Sequence, residues 1–202
     1  VIELADRNFN VWLFDYNLSF KRLNLGAKIN HLNLTGNNDY LMSKVQAGFT
    51  DKVEFDYLFP GFKWASNWGF VAGALYAQSK EVRLRTAENK EVFYRNEPEQ
   101  QMKRWRFKLG LRYRIGLFNS VTMSSEFYNN SISDDAAFRN PNFFGEAKKS
   151  QKYFTLGVKW LVDKRDRKMM TMNGYRSKLS FVKKGLSQKS DLNILITRLS
   201  LD

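Results

Sequence analysis

The chain has 202 residues, no Cys and a net charge of +13. Without Cys, disulfide frameworks and cysteine metal clusters are excluded, so the fold depends on hydrogen bonding and burial. A hydrophobic share of 43% and an aromatic share of 15% argue against intrinsic disorder. The basic excess favours an acidic partner, such as anionic lipid or nucleic acid, without choosing among them.

Membrane-spanning helices are excluded by the lengths of the apolar runs. A spanning helix needs roughly 18 consecutive apolar residues, and the longest apolar run, 68–77, has only the length of a strand. No charged start followed by an apolar segment and a small-residue cleavage site is visible, so no secretory signal is predicted. The chain opens in mid-pattern and stops on a predicted strand, which favours a fragment of a longer protein.

The dominant signal along the chain is alternation of apolar and polar residues, which predicts strands with one face of each kind. Several of these segments run about ten to twelve residues, the length of a tilted membrane strand. In chain order, the predicted strands are 23–30, 44–49, 52–59, 68–78, 104–115, 121–128, 153–160, 175–182 and 192–201.

The strand at 104–115 shows the alternation most clearly. Trp105, Phe107 and the apolar residues that follow them lie on one face. Because bases cannot stack on aromatic rings that face away from the cations, this arrangement argues against a nucleic-acid site and favours a cationic lining of a barrel lumen. The basic row on the opposite face consists of Arg104, Arg106, Lys108, Arg112 and Arg114.

The connections between predicted strands differ in length. Turns near Gly36, Pro60, Asn119 and Gly174 are short or moderate, whereas 80–103 and 129–150 are long and polar. Long and short connections are predicted to alternate between the two ends, as in transmembrane barrels. The alternative is a soluble basic sandwich or barrel whose apolar faces close into a dry core and which binds an acidic polymer.

Aromatic residues near strand ends are typical of the girdles that hold a barrel at head-group depth. In a soluble domain the same residues would be ordinary core or rim residues, and the sequence leaves both interpretations open. The residues concerned are Phe59, Phe62, Trp64, Trp68, Phe118 and Trp160.

Candidate catalytic groups are scarce. His31 is the single His, and with no Cys it would have to supply both nucleophile activation and proton transfer, so a turn or interfacial role is predicted instead. The carboxylate pairs Asp134 with Asp135 and Glu97 with Glu99 lie in predicted loops, where solvated acids are common. No phosphate loop or metal-binding spacing is present, so we predict no enzyme activity, metal or cofactor.

Three turn motifs, at 33–38, 57–62 and 163–174 in that order, resemble those of BamA-like outer-membrane assembly factors, members of the bacterial surface antigen superfamily. Segment 33–38, with Asn33 and Gly36, resembles the turn after the second barrel strand, although Asn38 stands where the family usually has Gly. Segment 57–62, with Pro60, resembles a strand exit at which Pro ends the ladder because it lacks an N–H donor.

The third motif is the most specific. Asp163, Arg165 and Asp166, followed by Gly174, resemble the family's Asp-x-Arg-Asp turn, although Thr171 to Asn173 replace its usual Pro. Opposite charges at this spacing are expected to hold a tight turn through paired hydrogen bonds. Segment 140–145 also resembles an extracellular loop of bacteroidete members of the family.

The resemblance implies an all-β fold, an antiparallel transmembrane β-barrel of which this chain supplies about eight to ten strands. Residues 1–202 would be the N-terminal portion of the family's sixteen-stranded barrel, without an internal domain boundary, and the POTRA domains and C-terminal barrel half would be absent. The implied location is the bacterial outer membrane.

The implied function is insertion and folding of nascent outer-membrane proteins. Implied partners are those proteins, outer-membrane lipid and lipopolysaccharide, and the family's accessory lipoproteins, with no nucleic acid. A secretion or translocation pore of the same superfamily is an alternative function.

Overall fold

The computed structural model describes residues 7–12, 24–61, 67–96, 99–145, 148–166, 172–186 and 192–201. They form a ten-stranded antiparallel sheet, in which strands adjacent in sequence are adjacent in space except at one place, where an inserted hairpin separates two paired strands in sequence. The strands of this sheet are β1 Arg7–Trp12, β2 Asn24–Leu32, β3 Tyr40–Gly48, β4 Thr50–Phe59, β5 Trp68–Ser79, β8 Met102–Ile115, β9 Asn119–Ile132, β10 Ser150–Asp163, β11 Arg176–Lys184 and β12 Ile194–Leu201.

The predicted all-β, partial-barrel fold is confirmed, and the alternating segments are strands. Several are longer than the alternation alone indicated: β3 begins at Tyr40, and β9 extends through Ile132. The β9 extension is largely polar, whereas the β3 extension contains Leu41 and Met42, and the backbone hydrogen bonds of neighbouring strands hold both in the ladder. Among the helices of the described residues, none is long and apolar enough to cross a membrane.

The loop predicted at 80–103 contains a second sheet. Strands β6 Glu81–Ala87 and β7 Lys90–Arg95 form a hairpin, and helix α1 Asp134–Arg139 lies in the next long connection. Val82, Ile132, Ala136 and Ala137 form a small buried core between these elements. We call the hairpin, α1 and their connections the cap.

The connections 33–39, 60–67, 116–118 and 164–175 share one end of the sheet, which we call the turn end. The opposite end, the loop end, carries the cap and the connection 185–193. The predicted alternation of lengths is wrong at one position, because β3 and β4 are joined at the loop end by Phe49 alone. The side chain of Asp51 accepts a hydrogen bond from the Gly48 N–H at 3.0 Å, which tightens this connection.

The two faces of the sheet have reversed polarity compared with a soluble protein. Leu109 is 70% exposed and Leu111 57% exposed, whereas Thr122 and Thr155 on the other face are buried. No layer of described residues covers the apolar face. The dry core required by the soluble alternative is therefore not formed on this face, and an apolar surface of this extent is suited to hydrocarbon. We call the apolar surface the outer face and the polar surface the inner face.

The polar inner face as candidate functional site

The predicted basic row lies on the inner face of β8. Arg106, Lys108, Arg112 and Arg114 are partly buried, while Arg104 is exposed near the cap. The intervening Trp105 and Phe107 lie on the outer face, 43% and 50% exposed. Pleating of the strand separates the two sets, so the cations cannot share a site with these two rings.

The middle of the inner face carries an ion-pair network that crosses three strands. Arg106 donates to Glu54 at 2.9 Å and approaches Asp56 at 3.3 Å, while Lys52 pairs with the other oxygen of Glu54 at 2.5 Å. The Arg106 and Glu54 side chains are only 18% and 11% exposed, so each needs the other's charge. We call Lys52, Glu54, Asp56, Arg106, Lys108 and Glu126 the paired layer.

On β9, Glu126 completes the paired layer. Its carboxylate lies 3.7 Å from Lys108 Nζ and accepts a 2.7 Å hydrogen bond from the Tyr128 hydroxyl. Tyr128 in turn stacks on Tyr153 of β10, with ring centroids 4.9 Å apart. The network therefore extends from β4 to β10 and ties the strands together through their side chains.

Gly73 allows this network to form. It lies on β5 directly between Asp56 of β4 and Lys108 of β8. A Cβ at this position would lie 2.4 Å from Asp56 Oδ1. A larger residue would therefore displace the carboxylate from Arg106.

Nearer the turn end, the inner face carries cations without matching carboxylates. Arg112 and Lys159 flank Thr122 in one row across the strands, and Ser180 separates Lys159 from Arg198 in the same row. Arg114 and Lys178 lie in the next row, which also contains Ser120. We call Arg112, Arg114, Lys159, Lys178 and Arg198 the basic layer.

None of the basic-layer residues forms an ion pair with a carboxylate of the described segments. Arg112 donates instead to the Ser120 hydroxyl at 3.4 Å. A cavity of about 280 Å³ between the two layers is lined by Arg112, Lys159, Ser120 and Thr122 on one side. On its other side lies Asp56, whose carboxylate is paired with Arg106. Cations and hydroxyl donors around one cavity are suited to an oxyanion.

The first predicted turn, at 33–38, is held by a buried carboxylate that sequence analysis did not single out. Asp39, 1% exposed, accepts hydrogen bonds from the Thr35 N–H at 3.0 Å and the Tyr57 hydroxyl at 2.8 Å. Burial raises the pKa of Asp39, but these hydrogen bonds outweigh it and hold the pKa below its ordinary value. Asn33 and Asn38 adopt positive φ angles of 63° and 57°, as does Gly36 at 82°.

The second turn follows Pro60, which lies directly after the last residue of β4. Phe59, the last residue of β4, stacks on Phe70 of β5, with ring centroids 5.4 Å apart. Pro60 thus stands where the ladder ends. Of the predicted interfacial aromatics, Trp68 packs against Tyr113 with tilted rings whose centroids are 4.8 Å apart, and Phe118 and Trp160 are each 50% exposed. Phe62 and Trp64 lie outside the described residues.

In the third turn, Arg165 donates two hydrogen bonds to Asp163, Nε to Oδ1 at 2.8 Å and Nη2 to Oδ2 at 2.9 Å. Asp166 accepts from the Met172 N–H at 3.1 Å. Gly174 has a φ of 107°, and a Cβ there would lie 2.3 Å from the Lys164 carbonyl oxygen. Glycine is required at this close approach of two backbone segments.

Among the described residues, the remaining candidate groups lie in separate parts of the structure. His31 lies at the end of β2 opposite Leu41, and its Nδ1 has no hydrogen-bond partner in the described part of the chain. Asp134 and Asp135 occupy the first turn of α1, where they complement the helix dipole. Glu99 lies in the cap connection, and Glu97 is outside the described residues. Within the described ranges, no acidic or His cluster is arranged to hold a metal ion.

Sequence reasoning missed the carboxylate partners of the basic row. Glu54 and Asp56 lie about fifty residues before Arg106, and the inserted β6–β7 hairpin conceals that β5 pairs with β8. The available signal was the polar face of β4, which carries Lys52, Glu54 and Asp56 in alternation. That pattern shows the face on which they lie but not the strand opposite.

Comparison with known proteins agrees with this architecture. The family model described as the Omp85 superfamily domain matches residues 31–193. No curated protein matches the chain in sequence. Among solved structures, the chain is similar to the crystal structure of BamA from Haemophilus ducreyi lacking POTRA domains 1-3, with a TM-score of 0.53 and 13% identity. The match covers 94% of this chain and 35% of that one, so the chain spans about a third of the BamA chain. By its match to the family model, this chain belongs to the Omp85 superfamily.

Proposed function

We propose that the chain is the N-terminal portion of the membrane barrel of a BamA-like assembly factor, of the bacteroidete type, acting in the bacterial outer membrane. Superfamily membership supports this class of function, as does the observation that carries the proposal: an exposed apolar outer face around a polar inner face. Residues 1–202 would form one barrel segment, with POTRA domains and further strands supplied by other parts of the protein.

In this proposal the loop end faces the cell exterior and the turn end the periplasm, because outer-membrane barrels place their longer connections outside. The aromatic residues near the strand ends, among them Trp68 and Trp160, would then lie at head-group depth. The exposed cap cations Arg83 and Arg85 would be placed to meet lipopolysaccharide phosphates.

The proposed activity needs no reactive side chain. Strand edges offer main-chain N–H and C=O groups that hydrocarbon cannot satisfy, so an incoming strand gains hydrogen bonds by pairing with them. The clients would be nascent outer-membrane proteins, and accessory lipoproteins would be further partners. The protein would act without a cofactor and is not proposed to be an enzyme.

The first test is partitioning of the chain between buffer and lipid. In lipid vesicles we expect β circular dichroism and protease protection that do not develop in buffer. A monomeric, folded state in buffer would contradict the membrane proposal and favour the soluble polymer-binding alternative.

The second test is insertion activity. Vesicles that contain the protein with its POTRA domains should accelerate folding of a denatured outer-membrane porin, read as protease-protected barrel, relative to empty vesicles. Passage of a labelled polypeptide into the vesicle lumen without faster porin folding would favour the translocation-pore alternative.

A further inference from the structure

The inner face is divided into two layers of different electrostatic character. In the paired layer, each carboxylate contacts a cation or a tyrosine hydroxyl, as at Arg106 with Glu54 and Lys108 with Glu126. The basic layer has cations of the same kinds and no matching carboxylates among the described residues. Asp163, the carboxylate nearest to it along β10, is already bound by both guanidinium hydrogen bonds of Arg165.

The basic layer is a regular array. Arg112, Lys159 and Arg198 lie on alternate strands of one row, separated by the hydroxyl-bearing residues Thr122 and Ser180. Since neighbouring strands are about 4.8 Å apart, successive cations in the row are anchored roughly 10 Å from one another. This spacing suits an extended chain with several negative groups better than a single small anion.

The exposure of the layer also favours an external ligand. Lys159, Lys178 and Arg198 are exposed on the inner face, while the small hydroxyl residues Ser120, Thr122 and Ser180 between the cations are buried. The layer lies on the face opposite the apolar surface, so lipid head groups around the barrel are not its natural ligands. The ligand must instead reach the layer from within the barrel.

We propose that the basic layer binds acidic stretches of unfolded polypeptide that reach the inner face from the turn end. This inference rests on the proposed function, which brings polypeptide clients to the barrel, and it specifies the chemistry of the client segment. Glu and Asp side chains would pair with the exposed cations of the layer. Complementary charge would speed capture, and the weak solvated pairs would allow release.

The direct test is binding of a short, unstructured, fluorescent glutamate-rich peptide to the protein in zwitterionic detergent, with a glutamine-rich peptide for comparison. We expect the glutamate peptide alone to bind, and its affinity to fall as salt screens the charges. The double variant Lys159→Glu/Lys178→Glu should bind at least about tenfold more weakly, because each change replaces attraction by repulsion.

A matched control lies on the same two strands. By their register, Lys152 of β10 and Lys183 of β11 belong to the outer face, and both lie toward the loop end. The double variant Lys152→Glu/Lys183→Glu changes the net charge by the same amount as Lys159→Glu/Lys178→Glu but leaves the basic layer intact. This control should retain the wild-type affinity. Equal loss in both variants would show that only the overall charge attracts the peptide, and no binding to the wild type would overturn the proposal outright.

A second measurement uses the natural absence of Cys and tolerates poor folding of the charge-reversed variant. A fluorophore on Lys159→Cys should change its emission when the glutamate peptide is added, whereas one on Lys152→Cys should not. Equal responses at both sites would contradict the inference. Tighter binding of an oligonucleotide than of the peptide, with the same dependence on Lys159 and Lys178, would replace the polypeptide with a phosphate polymer.

Porin insertion by the wild type in vesicles separates this inference from the proposed function. Porin insertion without glutamate-peptide binding would contradict the inference about the basic layer and would be consistent with the proposed assembly function. Glutamate-peptide binding without porin insertion would contradict the proposed assembly function and would be consistent with a peptide-binding basic layer.

Discussion

The cap and the sheet bury opposite kinds of side chain. In the cap, Val82 and Ala136 are 3% and 0% exposed and form a small dry core of the kind found in soluble domains. In the sheet, Leu109 and Leu111 face outward while Glu54 and Thr155 lie inside. The cap buries apolar side chains away from water, as a soluble domain does. The sheet instead exposes its apolar side chains on a face that is suited to hydrocarbon.

The largest expected effect comes from the charged interior of the sheet. Arg106→Leu leaves Glu54 and Asp56 without their shared cation, and breaking such a buried pair typically costs about 3–5 kcal/mol of unfolding free energy. Urea unfolding from lipid vesicles, followed by tryptophan fluorescence, would measure this cost. Arg104→Leu is the control. Arg104 lies on the same face of the same strand, β8, but it is exposed and forms no ion pair with a described residue. Equal costs for the two variants would mean that the pairing adds nothing.

The outer face is tested by Leu109→Arg. A guanidinium facing the middle of the membrane should destabilise the folded barrel by about 2–4 kcal/mol. The same replacement at Leu117, which is 86% exposed in the turn between β8 and β9, should cost little. The two variants are compared by the same urea titration in vesicles, and an unchanged midpoint for Leu109→Arg would contradict a hydrocarbon-facing position.

A substitution in the core of the cap should destabilise the cap without destabilising the sheet. Ala136→Leu overfills the small core, at a cost of about 1–3 kcal/mol to the cap alone. We expect limited proteolysis to cut within residues 80–101 and 133–149 while the strands stay protected. Phe138→Ala on the same helix, where Phe138 is 87% exposed, should leave the digestion pattern unchanged. Simultaneous loss of strand protection would show that cap and sheet unfold together.

The smallest expected effect concerns pH at the first turn. Because the folded-state pKa of Asp39 lies below its ordinary value of 3.8, its carboxylate contributes stability that is fully present above that value. This contribution is lost as pH falls through the folded-state pKa. As pH is lowered through this range, the urea unfolding midpoint should fall less steeply in Asp39→Asn than in the wild type. Parallel pH dependences in the two proteins would contradict a contribution of the Asp39 carboxylate to stability.

Much of the sheet follows from local sequence. Alternation at 104–115 determines that Trp105 and Arg106 lie on opposite faces, because successive side chains of a strand alternate regardless of what surrounds it. The turn residues are also local: Pro60 cannot continue a ladder, and Asn38 tolerates a positive φ. The hairpin at 81–95 escaped prediction because its short strands are polar enough to resemble a loop.

The assembly of the inner face depends on tertiary structure. Glu54 meets Arg106 only because β5 pairs with β8, although the β6–β7 hairpin separates them in sequence, and Asp56 fits only because Gly73 leaves room beside it. Pairing between distant strands is set by the register and curvature of the whole sheet, which no local pattern contains. By itself, the sequence determined which side chains share a face of each strand; the tertiary structure decided which of them meet, where charges are balanced and where the basic layer is left open.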